Sequence, residues 1–217
     1  MKILFTKNLD KQMISEKIGN HFYCDFLEVI RPEIVEIAPF DIRGRSLIFT
    51  SVNGVQGCVK NGFTIQKDQK IYCVGSKTKK AVEKEGFSVF KVGDDAKDLS
   101  QFIINESPNE RFIHFCGTLS LDILSEEIEK DKYQKIEVYE THLLYPTIHT
   151  SYDALVFFSP SGVRSFAKNN SLENAMLFSI GKTTESELKK YTNKQVYYSD
   201  RSNLDELLSI IKEKGTL

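Results

Sequence analysis

The chain repeats itself in three blocks, each offset by about half its length. Leu47 to Asn61 (LIFTSVNGVQGCVKN) aligns with Leu155 to Asn169 (LVFFSPSGVRSFAKN) at an offset of 108, with seven identities in fifteen positions. Ile3 to Ile18 aligns with Ile113 to Ile128 at an offset of 110, with six identities in sixteen. A weaker block pairs Ile71 to Thr78 (IYCVGSKT) with Leu177 to Thr184 (LFSIGKTT), keeping Gly75/Gly181 and Thr78/Thr184. With 217 residues and 41% hydrophobic content, the chain can bury one large core or two small ones, and the repeat favours two. Two similar domains facing each other would make a cleft, the usual setting for a small molecule.

Short β-branched and aromatic runs alternate with stretches of helical spacing. Strands are expected near Ile3–Phe5, Leu47–Phe49, Ile71–Val74, Ser88–Lys91, Phe112–Phe115, Leu155–Phe158, Met176–Ile180 and Val196–Tyr198. Between them Val82, Leu99, Ile103, Leu121, Leu124, Ile128, Leu188, Leu207 and Ile211 recur at helix-like intervals. This alternation predicts an α/β fold of parallel sheets covered by helices. Phe26–Ile37 and Lys135–Leu144 break the rhythm, being extended and mixed in polarity, and read as paired linker strands. The block order can be cut as two tandem domains near Pro108 or as one domain inserted into the other. The linker segments favour insertion: an inner domain over 38–137, an outer one made of 1–35 with 143–217, and connector strands over about 30–37 and 136–142.

Composition narrows the function. The formal charge is −1 with no clustered basic patch, which argues against a nucleic-acid partner. No segment reads as a signal peptide or a membrane span, so a cytoplasmic protein is expected; a monomer is expected as well. Cys24, Cys58, Cys73 and Cys116 lie far apart without a CxxC pair, so they read as small buried hydrophobes and no metal site is expected. His21, His114, His142 and His149 form no HExxH or triad pattern and read as surface or satisfied core residues.

The candidate chemistry sits where buried strands run into small polar turns that open helices. One pair of turns is Thr50-Ser51-Val52-Asn53-Gly54 and Phe158-Ser159-Pro160-Ser161-Gly162. The other is Val74-Gly75-Ser76-Lys77-Thr78 and Ile180-Gly181-Lys182-Thr183-Thr184. At the carboxyl ends of parallel strands such turns offer backbone N–H groups and hydroxyls to an anion. Helix capping alone accounts for each turn taken singly. Neither GxxxxGK[ST] nor GxGxxG is present, so nucleotide binding has little support. Tyr139, in the second linker segment, is placed to donate a proton or a hydrogen bond.

FTSVNGV, VGSKTKKAV, VYETHL, FFSPSGV and SIGKTTESEL, in this order and spacing, resemble the uroporphyrinogen-III synthase family along essentially the whole chain. The resemblance implies two flavodoxin-like domains joined by a two-stranded connector, which selects insertion over the tandem cut. It also implies cyclisation of hydroxymethylbilane, a linear tetrapyrrole with eight carboxylates, with inversion of the last ring, loss of water and no cofactor or metal. By position it assigns the family's substrate-facing turns to Thr50 and Ser51, to Ser159, Ser161 and Gly162, and to Gly181, Thr183 and Thr184, and the connector tyrosine to Tyr139; the donor-rich turns add Asn53, Gly54, Gly75, Ser76 and Thr78 as expected substrate-binding residues. This chain has Lys7 where many members carry arginine, and its turn after Phe115-Cys116-Gly117-Thr118 holds no basic residue. Two alternatives share the fold: a non-enzymatic binder of a small anion, and a response-regulator-like module. The latter would need clustered aspartates after the first strand, where Asp10 stands alone.

Overall fold

The computed structural model describes residues 1–215, which divide into two compact units. The first begins with β1 (Lys2–Phe5), α1 (Lys11–Ile18) and β2 (Tyr23–Phe26). The chain then leaves it through β3 (Ile30–Ile34). The second unit, Pro32–Thr141, holds β4 (Ser46–Phe49), α2 (Val52–Lys60), β5 (Ile71–Val74), α3 (Ser76–Lys84), β6 (Lys91–Gly93), α4 (Ala96–Glu106), β7 (Phe112–Gly117) and α5 (Ile123–Glu127). Through β8 (Tyr133–Leu143) the chain returns to complete the first unit with β9 (Ala154–Phe157), α6 (Pro160–Ala167), β10 (Met176–Ser179), α7 (Lys182–Leu188), β11 (Val196–Tyr198) and α8 (Leu204–Gly215). The connecting strands β3 and β8 are neighbours. The Val35 N–H donates to the Val138 carbonyl (3.0 Å) and the Leu144 N–H to that of Val29 (3.1 Å), an antiparallel sense.

The sheet of the first unit runs β11-β10-β9-β1-β2, with its pairs parallel. Numbered along that unit's own chain the order is 2-1-3-4-5, the flavodoxin-like arrangement. In the second unit β6-β5-β4-β7-β8 occupies the same places, with β3 added beyond β8. Its five parallel strands, counted along the chain, read 3-2-1-4-5. The repeat blocks explain the difference: β4, β5 and β7 correspond to β9, β10 and β1, so the second sheet is the first one entered at a later block. Both units are therefore one architecture in two circular orders.

Each sheet is covered on both faces. In the first unit Ile14 and Ile18 of α1 and Leu207, Leu208 and Ile211 of α8 pack with Ile3 and Phe5. On the other face Val163 and Phe166 of α6 and Leu188 of α7 pack with Leu4 and Leu155. The second unit places Val55, Cys58 and Val82 on one face and Leu99, Ile103 and Leu124 on the other. The central strands, such as β4 and β9, are buried along their whole length and mostly apolar because both faces are covered. All four cysteines are buried and free. Burial pushes the thiols of Cys58 and Cys73 up to about 12, so they pack as inert side chains.

Three sequence expectations are corrected. The strand expected at Ser88–Lys91 is β6, Lys91–Gly93. Gly86, at φ +86°, turns the chain out of α3, and the Phe87 N–H closes on the Val82 carbonyl, so sheet pairing begins only at Phe90, whose N–H donates to Ile71. Strand β2 is absent from the sequence expectation, because its YCDF pattern buries only Cys24 fully and leaves Tyr23 and Asp25 exposed at a sheet edge. Leu121 lies outside α5 and is 51% exposed rather than a helical core position.

Candidate functional site

In a doubly wound sheet, ligands bind outside the strands' carboxyl ends where the winding changes direction. In the second unit that point lies between β4 and β7, which pair in parallel register. The turn after β4 carries Thr50 and Ser51, and β7 ends at Gly117. Strand β8 adds Tyr139 to the same end through an irregularity in its pairing: Cys116 faces Glu137, but Gly117 faces Tyr139. This skip over Val138 is a β-bulge, the usual device for re-aiming a side chain. It sends Val138 into the core against Gly57 and lays the Tyr139 ring over Gly117. A Cβ on Gly117 would stand 2.4 Å from Cε2 and Cζ of Tyr139, so only glycine leaves the ring its place.

The Tyr139 hydroxyl then lies 3.1 Å from Ser51 Oγ. Ser51 is the N-cap of α2 and accepts from the Gly54 N–H at 3.1 Å. Either hydroxyl can donate in this contact, and when Ser51 donates to the phenol oxygen the phenol's own hydrogen is free to point outward. Burial raises the Tyr139 pKa and the Ser51 hydrogen bond opposes the rise without cancelling it. The phenol therefore stays protonated, as a neutral donor requires.

A second chain of contacts ends on the adjacent residue. Thr50 Oγ1 is 2.9 Å from Nε2 of His114, and Nδ1 of His114 is 2.5 Å from the Tyr133 hydroxyl. His114 is 1% exposed within an otherwise apolar strand. Burial, with a smaller contribution from Lys135, lowers its pKa to about 3, so the ring is neutral at physiological pH. Motif reading leaves His114 as a satisfied core residue and passes over Tyr133. A polar ring in the run FIHFCG is the available signal, since a buried imidazole must find partners for both nitrogens.

The remaining candidates divide by accessibility. Asn53 lies half-buried in the first turn of α2, while Gly54 is packed so that a Cβ would meet the Phe115 carbonyl oxygen at 2.4 Å. Gly75, at φ +76°, opens α3 without a side-chain cap and has open space where a Cβ would lie. Ser76 is exposed and Thr78 buried. In the first unit the winding changes between β1 and β9, which places Lys7 and the Ser159 turn at that sheet's switch point. Ser159 caps α6 by accepting from the Gly162 N–H at 3.1 Å and lies 3.1 Å from the Ser161 hydroxyl. Lys7 and Thr183 are exposed, whereas Gly181 and Thr184 are buried, with a Gly181 Cβ blocked by Ser202. Among the described residues no group of three His, Cys, Asp or Glu side chains could hold a metal ion, and no helix is long and apolar enough to cross a membrane.

The family profile described as uroporphyrinogen-III synthase HemD matches residues 27–209, well over half of the chain. The chain belongs to the uroporphyrinogen-III synthase family. Solved structures of that family share its fold. The uroporphyrinogen III synthase of Thermus thermophilus, as a mutant, superposes with a TM-score of 0.66 at 15% identity, over 100% of this chain and 99% of that one. The synthetase of Helicobacter pylori 26695 does so with a TM-score of 0.68 at 18% identity, over 98% and 99%. At these identities the likeness is one of fold, and the family assignment rests on the sequence profile. No curated protein matches the chain at a significant level.

Proposed function

We propose that the chain cyclises hydroxymethylbilane to uroporphyrinogen III with Tyr139 as the hydrogen-bond donor to the departing hydroxyl. Family membership carries the reaction, and the 3.1 Å contact between Ser51 and Tyr139 carries the residue assignment. An electron pair from the first pyrrole expels the hydroxyl of the hydroxymethyl group, so the C–O bond breaks and the hydroxyl leaves as water with that pyrrole's N–H proton. The substituted α-carbon of the last ring attacks the exocyclic carbon of the azafulvene to form a spiro intermediate. Its bond to the original bridging methylene then breaks, and that methylene is attacked by the free α-carbon of the last ring, whose released proton replaces the one lost from nitrogen and gives the inverted isomer. No redox step occurs and no external reactant is needed. The protein's tasks are to fold the chain into a reactive conformer and to assist departure of the hydroxyl.

A neutral phenol suits the second task in a limited way. Its raised pKa keeps it protonated but makes full proton transfer unfavourable, so its contribution falls at or below the low end of the ~10²-fold to 10⁴-fold range of well-matched acids. Thr50 in the second unit, which Ser51 adjoins as the partner of Tyr139, is a proposed donor to a substrate carboxylate, and Lys7, Ser159 and Ser161 are proposed carboxylate donors in the first unit taken by itself. Hydroxyl and amide donors hold carboxylates without a strongly basic surface, in keeping with a net charge of −1. Tyr139→Phe is expected to lower kcat by about tenfold to a hundredfold while the fold persists. Wild-type turnover in that variant would remove Tyr139 from the reaction.

A further inference from the structure

We propose that His114 and Tyr133 are positioning residues that turn the Thr50 hydroxyl into a hydrogen-bond donor for the substrate. The contacts run in one line from the interior to the turn. The Tyr133 hydroxyl is 2.5 Å from Nδ1 of His114, and Nε2 of the same ring is 2.9 Å from Thr50 Oγ1. A neutral imidazole carries one N–H and one bare nitrogen, so the two ends of this line take opposite roles. Among the described residues His114 is the hydrogen-bond partner of the Tyr133 hydroxyl.

Two directions are open to the line. In one, the Tyr133 O–H donates to Nδ1, the Nε2–H donates to Thr50 Oγ1, and the threonine hydrogen is left to point outward. In the other, Thr50 donates inward to Nε2, the Nδ1–H donates to Tyr133, and the phenol hydrogen loses its partner at a site where burial has already raised the phenol's pKa. Each direction leaves one hydrogen unpaired: the first on the half-buried Thr50 hydroxyl at the carboxyl end of β4, where a ligand can accept it, and the second on the half-buried Tyr133 phenol packed against the core of its unit, where an unmade hydrogen bond is a cost. The first also presents a donor rather than an acceptor beside Ser51, which suits a ligand bearing carboxylates. The second would aim the threonine's lone pairs at those anions.

His114 therefore passes on orientation and moves no proton. It is fixed by β7, and Tyr133 is fixed by β8, whose residue Tyr139 six positions later supplies the phenol beside Ser51. One connecting strand thus sets the hydroxyls of two consecutive residues, Thr50 through an imidazole and Ser51 directly. Both act through Thr50 rather than on the substrate itself, and motif reading accordingly leaves His114 as a core residue and passes over Tyr133.

This inference rests on the tetrapyrrole reading above, and its test separates the two. Long-range nitrogen–proton correlation NMR on the ligand-free full chain at neutral pH reads the His114 tautomer without any substrate. The Nε2–H form is expected, and the Nδ1–H form would overturn the proposal. In kinetics with hydroxymethylbilane, Tyr133→Phe should raise KM about threefold to tenfold with kcat nearly unchanged, the effect of misdirecting one hydrogen bond. Thr50→Val should do the same, and the double variant should be no worse than Thr50→Val alone, because Tyr133 acts only through Thr50. Multiplying effects in the double variant, or no effect of Tyr133→Phe, would overturn the proposal. A wild-type chain that forms no type III isomer would instead refute the enzyme reading, and with it the role for Thr50. Should Tyr133→Phe fail to fold, the wild-type tautomer still decides.

Discussion

Replacing Gly117 by alanine tests the geometry that places Tyr139. The added Cβ would stand 2.4 Å from Cε2 and Cζ of the ring and 2.9 Å from Cδ2, against an ordinary carbon–carbon contact of about 3.5 Å or more. The ring must retreat by about 1 Å to restore that distance. The backbone cannot retreat with it easily, because the Tyr139 carbonyl accepts from the Thr118 N–H at 3.1 Å and the bulge fixes the residue opposite Gly117. The side chain must therefore turn, carrying its hydroxyl away from Ser51, where 3.1 Å leaves little margin before the bond is lost. Overpacking of this kind costs about 1–3 kcal/mol, and a 1 Å misplacement of a reacting group costs up to ~10² in rate. Gly117→Ala should thus lower Tm by several degrees and kcat/KM by about tenfold to a hundredfold. Differential scanning calorimetry and a stopped assay of uroporphyrinogen formation would measure both. A Gly117→Ala protein with wild-type Tm and wild-type kcat/KM would refute the claim that this glycine is the seat of Tyr139.

Two further outcomes follow from contacts outside the ring itself. Glu110 accepts hydrogen bonds from Ser46, from Lys70 at 2.5 Å and from Tyr72 at 3.0 Å, around the starts of β4, β5 and β7. Burial would raise its pKa, but the bonds from Lys70, Ser46 and Tyr72 outweigh burial and hold it below the usual carboxylate range. A depressed folded-state pKa contributes stability that is present above the unfolded value of about 4.3 and is lost as pH falls through the folded value. Glu110→Gln should cost about 1–3 kcal/mol in urea unfolding at pH 7, with the difference from wild type shrinking below about pH 4; an equal difference at about pH 3 would show that the charge is not the cause. Ser51→Ala removes both the cap of α2 and the partner of Tyr139, so it should lose about 1 kcal/mol of stability and also activity. If Ser51→Ala loses stability alone, the serine is a cap and nothing more.

Sequence pattern carries the fold class far because both sheets are buried on two faces, and strands such as Leu47–Phe49 and Leu155–Phe158 are then continuously apolar with helices between. Pattern fails where local polarity and tertiary role diverge. In β2 an edge strand leaves Tyr23 and Asp25 in solvent, and at Gly86 a helix exit postpones β6. The internal repeat places the serine turns on equivalent elements, and both serines do cap helices with matching 3.1 Å bonds. What pattern does not reach is the register irregularity at Gly117. A one-residue skip has no local sequence mark, yet it decides that Tyr139 rather than Val138 lies over the glycine. The His114 line is hidden for the same kind of reason. Its members are separated by 64 and 19 residues in sequence and meet only because β4, β7 and β8 are adjacent.

The reaction itself is tested most directly by product analysis. The purified protein should be given freshly prepared hydroxymethylbilane, and the porphyrinogens formed should be oxidised and separated by isomer. The type III isomer is expected to dominate, and to form in proportion to the protein added. Type I isomer alone, at the rate of spontaneous ring closure in a protein-free control, would contradict the proposal that this chain makes uroporphyrinogen III.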